Sequence, residues 1–424
     1  MAKNTKPTIR FKGFTDDWEQ REFDDFFEYI PHNSLSRDNL NYDEGEVKNI
    51  HYGDVLIKFG EVLNPTIEKI PFVNKDIKFD DKSCFLQDGD IVIADAAEDL
   101  TVGKCTEISN GCNQKLVAGL HTIPCRPKNK IEEGFLGFYL NSKAYHNQLL
   151  PLIQGTKVSS ISKSSLKETW VTFPFSSNEQ KKIGSFFLTL NNLITLHQRK
   201  YDSLVNVKKA MFEKMFPKNG ETVPEIRFKG FTDTWEQCKF KNVVNVRRGL
   251  TYSPSDINSN GVRVLRSSNI DDQSFKMFSN DVFVNEKAVK IPFVSNGDIL
   301  ITSANGSSKL VGKHAIVKGI TDNSTVHGGF MLLGSTAYPE FINASMSSRW
   351  YKEFIFKFVA GGNGTIGNLS KTDLDSQIIY APKDNEKNRI GVLFEKIDNL
   401  ITLHQRRLEK LKNIKKSCLE KMFV

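Results

Sequence analysis

The chain has 424 residues, of which 39% are hydrophobic and 25% are charged, and its formal net charge is +8. This composition excludes a disordered chain, and the length predicts several compact domains rather than one core. The longest apolar runs are shorter than the roughly 18 residues needed to cross a bilayer, and the first ten residues lack an apolar signal core. We therefore expect a cytoplasmic protein without membrane association.

The positive charge is concentrated in two short segments. Residues 178–217 and 385–424 carry +4 and +5, whereas residues 1–177 carry −5 and residues 218–384 carry +4. Long solvated helices rich in Lys and Arg would explain the two basic segments, and so would a surface that faces phosphate groups. The six cysteines show no spacing typical of a zinc site, so we expect reduced thiols and no bound metal.

The chain contains an internal repeat. Between the repeated blocks the two halves differ strongly, which predicts one scaffold carrying two unlike sets of inserts. Such a pseudo-two-fold repeat suits a two-fold-like ligand such as duplex DNA, although one half could also be idle. The blocks are PTIRFKGFTDDWEQ (7–20) and PEIRFKGFTDTWEQ (224–237), GTKVSSISKSSL (155–166) and GTIGNLSKTDL (364–374), and NNLITLHQRK (191–200) and DNLITLHQRR (398–407).

In chain order, each half begins with a repeated FTDxWEQ block, in which Trp18 and Trp235 are predicted to be packing anchors. Short strands bounded by turn residues follow in both halves, and each half then contains an amphipathic helical pattern. Each globular part is therefore predicted to be mixed α and β with strands dominant. The predicted strands are Asp54–Phe59, Asp90–Asp95, Arg263–Ser267 and Asp298–Ser303, and the predicted helices lie near Gly134–Leu150 and Tyr338–Phe358.

Each half ends in a segment with a heptad pattern that predicts a long helix of about 55–60 Å at 1.5 Å per residue. His197 and Lys208 interrupt the first apolar seam, and His404 and Lys415 interrupt the second at equivalent positions. Polar residues in a seam can fix the register, so we expect the two helices to pack on each other and act as a ruler. The predicted packing residues are Ile183, Phe187, Leu190, Ile194, Leu204, Ile390, Phe394, Ile397, Ile401, Leu408 and Leu411.

Known catalytic motifs are missing from the sequence. It has no GxxxxGK(S/T) loop for ATP and no GxSxG elbow, and the string Asn64-Pro65-Thr66 lacks the second proline and the aromatic residue of an amino-methyltransferase loop. The glycine run 358–364 follows a predicted helix rather than a strand, so it does not match a nucleotide-binding loop. These absences favour a binding protein and predict no catalytic residues.

The repeated order of a Gly-Thr loop, a Ser-Lys-x-x-Leu motif, a strand ending in proline, an Asn-Glu helix start and LITLHQR resembles the specificity subunits of type I restriction-modification systems. The resemblance covers essentially the whole chain. It implies an α+β fold in which two mixed α/β target-recognition domains (1–177 and 218–384) are joined by two long antiparallel coiled-coil helices, the conserved helical spacers (178–217 and 385–424).

The resemblance also implies the partners of the chain. Each target-recognition domain would read one part of a bipartite site in double-stranded DNA. The helical regions would dock two modification subunits, which methylate adenine, and restriction subunits, which translocate and cut DNA. S-adenosylmethionine, ATP and Mg²⁺ are then expected on those partners and no cofactor is expected on this chain. The net charge of −5 on residues 1–177 requires a locally basic DNA face or charge supplied by a partner.

Polarity and position in loops indicate candidate DNA-binding residues, since Arg, Lys, Asn and Gln read base edges, and Lys, Arg, Ser and Thr hold phosphates. An ordinary surface role is the alternative for each of them. The candidates are Lys58, Lys104, His121, Thr156, Lys157, Ser159, Arg247, Arg248, Arg263, Arg266, Asn269, Asn305, Lys309, Lys313, His327, Thr365 and Asn368.

Two further hypotheses remain open from the sequence. The chain could be a nuclease-like or methyltransferase-like enzyme with a degenerate motif, or a structural adaptor whose rod bridges other proteins. Methylation or cleavage of DNA by the chain alone would favour the enzyme. Salt-dependent retention on duplex DNA would argue against the adaptor.

Overall fold

The computed structural model describes residues 6–77, 84–111, 113–155, 157–218, 220–271, 274–359 and 368–424. These residues form two compact units. The first comprises Met1–Gln198 and Arg406–Val424, and the second comprises Arg199–Gln405.

The first unit combines short strands with short helices and parts of two long helices. Its strands are β1 (Glu19–Glu22), β2 (Phe27–Tyr29), β3 (Leu40–Asn41), β4 (Val47–Ile50), β5 (Val62–Leu63), β6 (Phe72–Val73), β7 (Ile91–Ala94), β8 (Ala96–Ala97), β9 (Cys105–Ile108), β10 (Lys115–Ala118), β11 (Thr122–Pro127), β12 (Ser159–Ser160) and β13 (Trp170–Phe173). Its helices are α1 (Phe23–Phe26), α2 (Tyr52–Ile57), α3 (Phe135–Leu140), α4 (Lys143–Leu149), α5 (Lys163–Lys167) and the first part of α6 (Ser177–Lys214).

Two sheets organise the first unit. One has the order β2-β11-β7-β9-β5 and the other β10-β4-β6-β3, while β1 pairs with β13 and β8 pairs with β12. A core of apolar side chains, including Leu63, Val92 and Leu116, is buried with α2. A second core contains α3, α4 and the start of α6, and Phe423 at the chain end is buried in it. The carboxyl-terminal residues are thus part of the first unit.

The second unit repeats this arrangement. Its strands are β14 (Glu236–Lys239), β15 (Asn245–Arg248), β16 (Ile257–Leu265), β17 (Ile270–Asp271), β18 (Ser274–Phe275), β19 (Val282–Val284), β20 (Ile299–Thr302), β21 (His314–Ile316), β22 (Thr325–His327), β23 (Met331–Ser335) and β24 (Ile378–Ala381). Besides the end of α6, its helices are α7 (Pro339–Met346), α8 (Arg349–Val359), α9 (Lys371–Ser376) and the first part of α10 (Asp384–Lys421).

The sheets of the second unit share the central part of their strand order with those of the first, although β3 and β5 of the first unit have no counterpart in the second. The order β15-β23-β20-β21 corresponds to β2-β11-β7-β9, and β16 pairs in parallel with β22 as β4 does with β10. Trp18 and Trp235 are each 2% exposed, one in the core of each unit, which confirms their predicted role as packing anchors. Gly13 and Gly230 have φ angles of +100° and +97°, which favour glycine in these turns.

The two long helices have 38 residues each. In the first unit, Phe187 near the start of α6 stacks on Phe423, which follows the end of α10, with ring centroids 5.6 Å apart. In the second unit, Phe212 near the end of α6 stacks on Phe394 near the start of α10, at 4.4 Å. The helices therefore run antiparallel, and the predicted α+β fold with two long helices is confirmed.

The predicted packing residues of the helices are all buried or half-buried. Buried are Ile183, Phe187, Leu190, Ile390, Phe394, Ile397 and Leu408, and half-buried are Ile194, Leu204, Ile401 and Leu411. His404 is also buried. Among the described residues, no helix combines the length and apolar character needed to span a membrane.

The strand predicted at Asp54–Phe59 is wrong, because this segment lies mostly in α2. The Nδ1 atom of His51 accepts a hydrogen bond from the N–H of Gly53 and caps the helix. Asp54 and Val55 are buried next to each other, whereas Ile57 is 88% exposed, a pattern that fits a helix and not an alternating strand. Each helix predicted near 134–150 and 338–358 is in fact a pair of helices, broken before Lys143 and before Arg349.

Candidate DNA interface

Polar and aromatic residues meet at one end of the second unit, which we call the second tip (Arg248, Arg266, Asn305, Phe330 and Asn368). Arg266 directly follows β16, and Phe330 directly precedes β23. The O atom of Phe330 accepts the N–H of Ser303 at 2.9 Å, which brings the segment after β20 to the same place. The Nδ2 atom of Asn305 donates to Ser267 Oγ at 3.0 Å, and Asn368 forms a bridge with Ala304.

The second tip has the chemistry of a nucleic-acid contact surface. Arg248 and Arg266 are exposed, and the same holds for Lys309 and Lys313 on the segment between β20 and β21. Phe330 is 73% exposed, which is unusual for a large apolar side chain. Exposed guanidinium groups suit phosphates and base edges, and an exposed aromatic ring can stack on a base or contact a methyl group.

The backbone hydrogen bonds identify the equivalent end of the first unit. Gly119 N–H bonds to Ile50 O as Gly328 N–H bonds to Leu265 O, both at 2.9 Å, so the residue after Ile50, His51, corresponds to Arg266. In the same way, the N–H of Asp95 donates to the O atom of His121, and the N–H of Ser303 donates to the O atom of Phe330. His121 therefore corresponds to Phe330 and Asp95 to Ser303.

The first tip (His32, His51, Tyr52, Asp95 and His121) contains a row of rings. The ring centroids of His51 and Tyr52 are 4.6 Å apart, and those of Tyr52 and His121 are 5.2 Å apart. The Nδ1 atom of His121 lies 3.2 Å from Asp95 Oδ1, and the backbone of His121 has a φ of +54°. The repeated scaffold thus carries imidazoles at the first tip where it carries Arg and Phe at the second.

Described residues next to the Gly-Thr motifs also lie at the tips. Ser159, half-buried in β12, pairs with Ala97, two residues after Asp95, and the exposed Lys157 lies just before this strand. In the second unit Asn368 bridges Ala304, directly after Ser303, as Ser160 pairs with Ala96, directly after Asp95, so Asn368 corresponds to Ser160, the neighbour of Ser159. Thr156 and Thr365, the two threonines predicted to contact DNA, lie outside the described residues.

Several predicted DNA-binding residues are instead held by contacts inside the second unit. These residues are Arg247, Arg263, Asn269 and His327. Arg247 bonds to Asp298 Oδ2 at 3.0 Å and to the Phe293 carbonyl at 2.9 Å, and Arg263 bonds to Asp281 and covers the ring of Phe283. Their charges are therefore matched within the fold, where sequence position alone suggested free cations.

Asn269 and His327 are 0% exposed. Asn269 Nδ2 donates to the Lys276 carbonyl and to Asp281, both at 2.9 Å, and its Oδ1 accepts the N–H of Arg266. The Nε2 atom of His327 lies 3.4 Å from the O atom of Arg247. Burial lowers the pKa of His327 to about 4, so the ring is neutral at physiological pH. We assign both residues to the support of the second tip rather than to its surface.

Two lysines predicted in the first unit lie away from the row of rings. Lys104 Nζ donates to the Leu56 carbonyl at 2.8 Å, and burial lowers its pKa. Lys58 is exposed, lies over the ring of Tyr42 at 5.0 Å and donates to the Lys69 carbonyl. These hydrogen bonds and this ring contact direct both lysines to residues outside the first tip.

The sequence did not single out His32, His51, Tyr52 or Phe330. They lie in the divergent inserts, where the two halves share too few letters to be aligned. Only the strand register reveals that His51 and Arg266 occupy the same position. A useful sequence signal would have been the presence of three of the eight histidines between residues 32 and 121. Within the described residues, no group of three His, Cys, Asp or Glu side chains is arranged to hold a metal ion.

A duplicated α+β scaffold that carries unlike polar tips defines a class of two-domain recognition proteins. The model of the family described as type I restriction modification DNA specificity domain matches this chain twice, at residues 15–206 and 232–413. The chain therefore belongs to the specificity subunits of type I restriction-modification systems.

Individual relatives agree with this assignment. The chain is 23% identical over 422 residues to the type I restriction enzyme MjaVIII specificity subunit of Methanocaldococcus jannaschii, which covers 95% of this chain and 91% of that protein. It is 23% identical over 312 residues to the EcoKI specificity subunit of Escherichia coli, covering 70% and 66%. The crystal structure of the S subunit from M. genitalium has the same fold, with a TM-score of 0.62, 14% identity and 99% coverage of both chains.

Proposed function

We propose that the two units read different parts of a bipartite site in double-stranded DNA, and that the chain itself catalyses no reaction. The observation that carries this proposal is the pair of equivalent strand ends, where His51 stands in one unit and Arg266 in the other. Because imidazole and guanidinium groups present different hydrogen-bonding patterns, the two tips select different bases.

The helices provide docking surfaces for the modification subunits. Leu193 and Leu196 in α6 are 38% and 46% exposed, and their repeat counterparts Leu400 and Leu403 in α10 are 44% and 41% exposed. Two copies of one exposed apolar pair suit two copies of one partner. The modification subunits supply S-adenosylmethionine chemistry, and the restriction subunits supply the ATP- and Mg²⁺-dependent steps.

A domain exchange tests the recognition proposal. Residues 6–175 are replaced by the corresponding part of another family member, and the methylated sites are mapped in a host that expresses the modification subunits. We expect one half of the recognised site to change while the other half and its position stay the same. A change in both halves, or in neither, would contradict the assignment of one half-site to each unit.

A second experiment separates this function from an enzyme and from an adaptor. The purified chain is incubated with duplex DNA, Mg²⁺ and S-adenosylmethionine, and methylation and cleavage are measured. We expect neither product until modification subunits are added. Retention of the assembled complex on duplex DNA should weaken as salt rises, since phosphate contacts release counterions. Salt-independent or absent retention would favour the adaptor.

A further inference from the structure

Phe330 of the second tip is exposed to solvent although it connects two buried strands. It follows β22 and directly precedes β23, and its side chain is 73% exposed, whereas His327 before it and Met331 after it are buried. A single exposed phenylalanine is ordinary on a protein surface. Its backbone and its neighbours therefore decide whether the ring contacts a ligand.

Hydrogen bonds fix the turn that carries Phe330 (residues 328–331). The N–H of Met331 donates to the O atom of Gly328 at 2.9 Å, which closes the turn. The O atom of Phe330 accepts the N–H of Ser303 at 2.9 Å and the N–H of Ala304 at 3.1 Å. The ring is thus carried by a main chain that is ordered before any ligand binds, so binding orders little more than the side chain itself.

Glycines allow this turn to pack closely against the segments on both sides of it. A Cβ atom at Gly249 would lie 2.0 Å from the O atom of Gly328, and a Cβ atom at Gly329 would lie 3.3 Å from Thr251 Oγ1. The residues that follow β15 therefore support one side of the turn. On the other side, a Cβ atom at position 328 would lie 3.9 Å from Arg266 Cγ, so the arginine side chain runs beside the turn.

Two exposed arginines flank the turn. Arg266 directly follows β16, and Arg248 ends β15, where it pairs with Leu332, two residues from Phe330. Guanidinium groups bind phosphates and the O6 and N7 atoms of guanine. A duplex that contacts these arginines therefore also lies against the ring of Phe330.

We propose that Phe330 is a specificity-determining residue of the second unit, and that its ring contacts the 5-methyl group of a thymine in the major groove. The proposal rests on the proposed function and names the chemistry of one of its base contacts. The thymine methyl is the apolar group on the major-groove edges of the base pairs, and it lies in the same groove as the guanine atoms that arginine reads. Because Arg266 runs beside the turn, the thymine is expected next to a guanine that Arg266 contacts.

Insertion of the ring between base pairs is the alternative contact for an exposed phenylalanine. Such an insertion unstacks a base step and kinks the duplex. A ring that inserts must project beyond its neighbours, whereas Arg248 and Arg266 on either side of Phe330 have longer side chains. This arrangement favours contact with a base edge. The two contacts also differ in a measurable way, because insertion does not depend on the thymine methyl group.

The test uses the complex of this chain with its modification subunits and a duplex that carries the site found by methylation mapping. Each thymine of the second half-site is replaced in turn by deoxyuridine, which lacks only the 5-methyl group. Affinity is measured for the wild type, Phe330→Ala and Phe330→Leu, the last of which keeps an apolar side chain. Phe356→Ala is the matched control, since Phe356 lies in α8 of the same unit and is 77% exposed.

We expect one thymine at which deoxyuridine weakens binding by the wild type about fourfold, which corresponds to the burial of one methyl group. Phe330→Ala should bind the thymine duplex more weakly and should show no methyl effect at that position. Phe330→Leu and Phe356→Ala should keep the effect. Arg266→Gln should also keep it while the preference for the neighbouring guanine is lost.

An equal methyl effect in the wild type and in Phe330→Ala at every thymine would overturn the proposal. A rise in the fluorescence of 2-aminopurine placed in the second half-site, if Phe330→Ala abolished it, would show insertion and would overturn the proposal as well. Circular dichroism establishes that each variant is folded.

These outcomes differ from a failure of the proposed function. In that case the exchange of residues 6–175 alters both halves of the methylated site or neither. If only the present proposal is wrong, the exchange alters one half as expected, and the thymine preference of the other half does not depend on Phe330.

Discussion

Lys415 of α10 donates a hydrogen bond of 2.6 Å to Glu61, which directly precedes β5 in the first unit. Its repeat counterpart Lys208 in α6 instead forms an ion pair of 2.5 Å with Asp398 of α10. The residue equivalent to Asp398 in the first half is Asn191, which cannot supply a negative charge. Asn191 Nδ2 donates to the other carboxylate oxygen of Glu61 at 3.0 Å. Glu61 therefore supplies the carboxylate that the first helix lacks.

This difference predicts that Glu61→Gln destabilises the first unit. The change removes the negative charge of a carboxylate whose side chain is 17% exposed, and it leaves the ammonium group of Lys415 without a matching charge. We expect the free energy of unfolding to fall by about 2–3 kcal/mol, somewhat less than for a fully buried pair. Urea unfolding, combined with amide exchange in residues 406–424, measures the loss and its location. Asp398→Asn is the matched control and should cost about 1 kcal/mol or less, because Asp398 is 41% exposed.

The same pair gives a pH dependence. Burial alone would raise the pKa of Glu61, but the charge of Lys415 and the hydrogen bonds outweigh burial and hold the pKa below its ordinary value. A depressed pKa stabilises the folded state above the ordinary pKa of Glu, and this contribution is lost as the pH falls through the folded-state value. The acid unfolding of residues 406–424 should therefore be less steep in Glu61→Gln than in the wild type.

Arg263 in β16 and Arg266 directly after it provide a matched pair. Arg266 is exposed at the second tip, whereas Arg263 is half-buried against Asp281 and Phe283. Arg266→Gln should weaken binding of the intact site by roughly 1–3 kcal/mol and relax the base preference in the second half-site, without a change in thermal stability. Arg263→Gln should lower the melting temperature. Equal effects of the two changes on base preference would contradict the assignment of the tip.

A substitution of His327 tests whether this predicted DNA contact instead belongs to the interior of the second unit. Its pKa is lowered to about 4, mainly by burial, from an ordinary value of 6.5. Between these values the unfolded chain binds a proton that the folded chain does not, so the second unit loses stability as the pH falls, by up to about 3 kcal/mol. His327→Gln should remove this part of the acid sensitivity and leave the DNA affinity at neutral pH unchanged. A large loss of DNA affinity in the folded variant would indicate that His327 contacts DNA.

The exposed leucine pairs predict the number of docked partners. Leu196→Lys should remove one modification subunit and Leu403→Lys the other, and native mass spectrometry of the assembled complex counts the subunits that remain. Val205, which is 39% exposed, has Lys412 at the equivalent position and so lacks an apolar counterpart. Val205→Lys is therefore the control and should leave both subunits bound. Retention of both subunits by the two leucine variants would contradict docking at this surface.

The fold could be predicted largely from local patterns. The strands at β7 and β20 are short apolar runs between turn residues, and the heptads of α6 and α10 repeat over 38 residues, so both signals are contained in consecutive residues. For residues 54–59 the local pattern predicted the wrong element. Their aliphatic residues are typical of a strand, whereas the cap from His51 and the burial of Asp54 favour a helix. Those contacts depend on the neighbouring sheet and leave no periodic signal.

By itself, the sequence determined that one scaffold occurs twice, that two long helices follow the two globular parts, and that the family is that of specificity subunits, because repeats and heptads are properties of residue order. Only the tertiary structure decided which polar residues are available at the tips. It paired Arg247 with Asp298, buried His327, and placed His51 at the position of Arg266. The reason is physical: a guanidinium group paired with a carboxylate of the fold has fewer donors and less unmatched charge to offer DNA, and strand pairing between distant residues sets those distances.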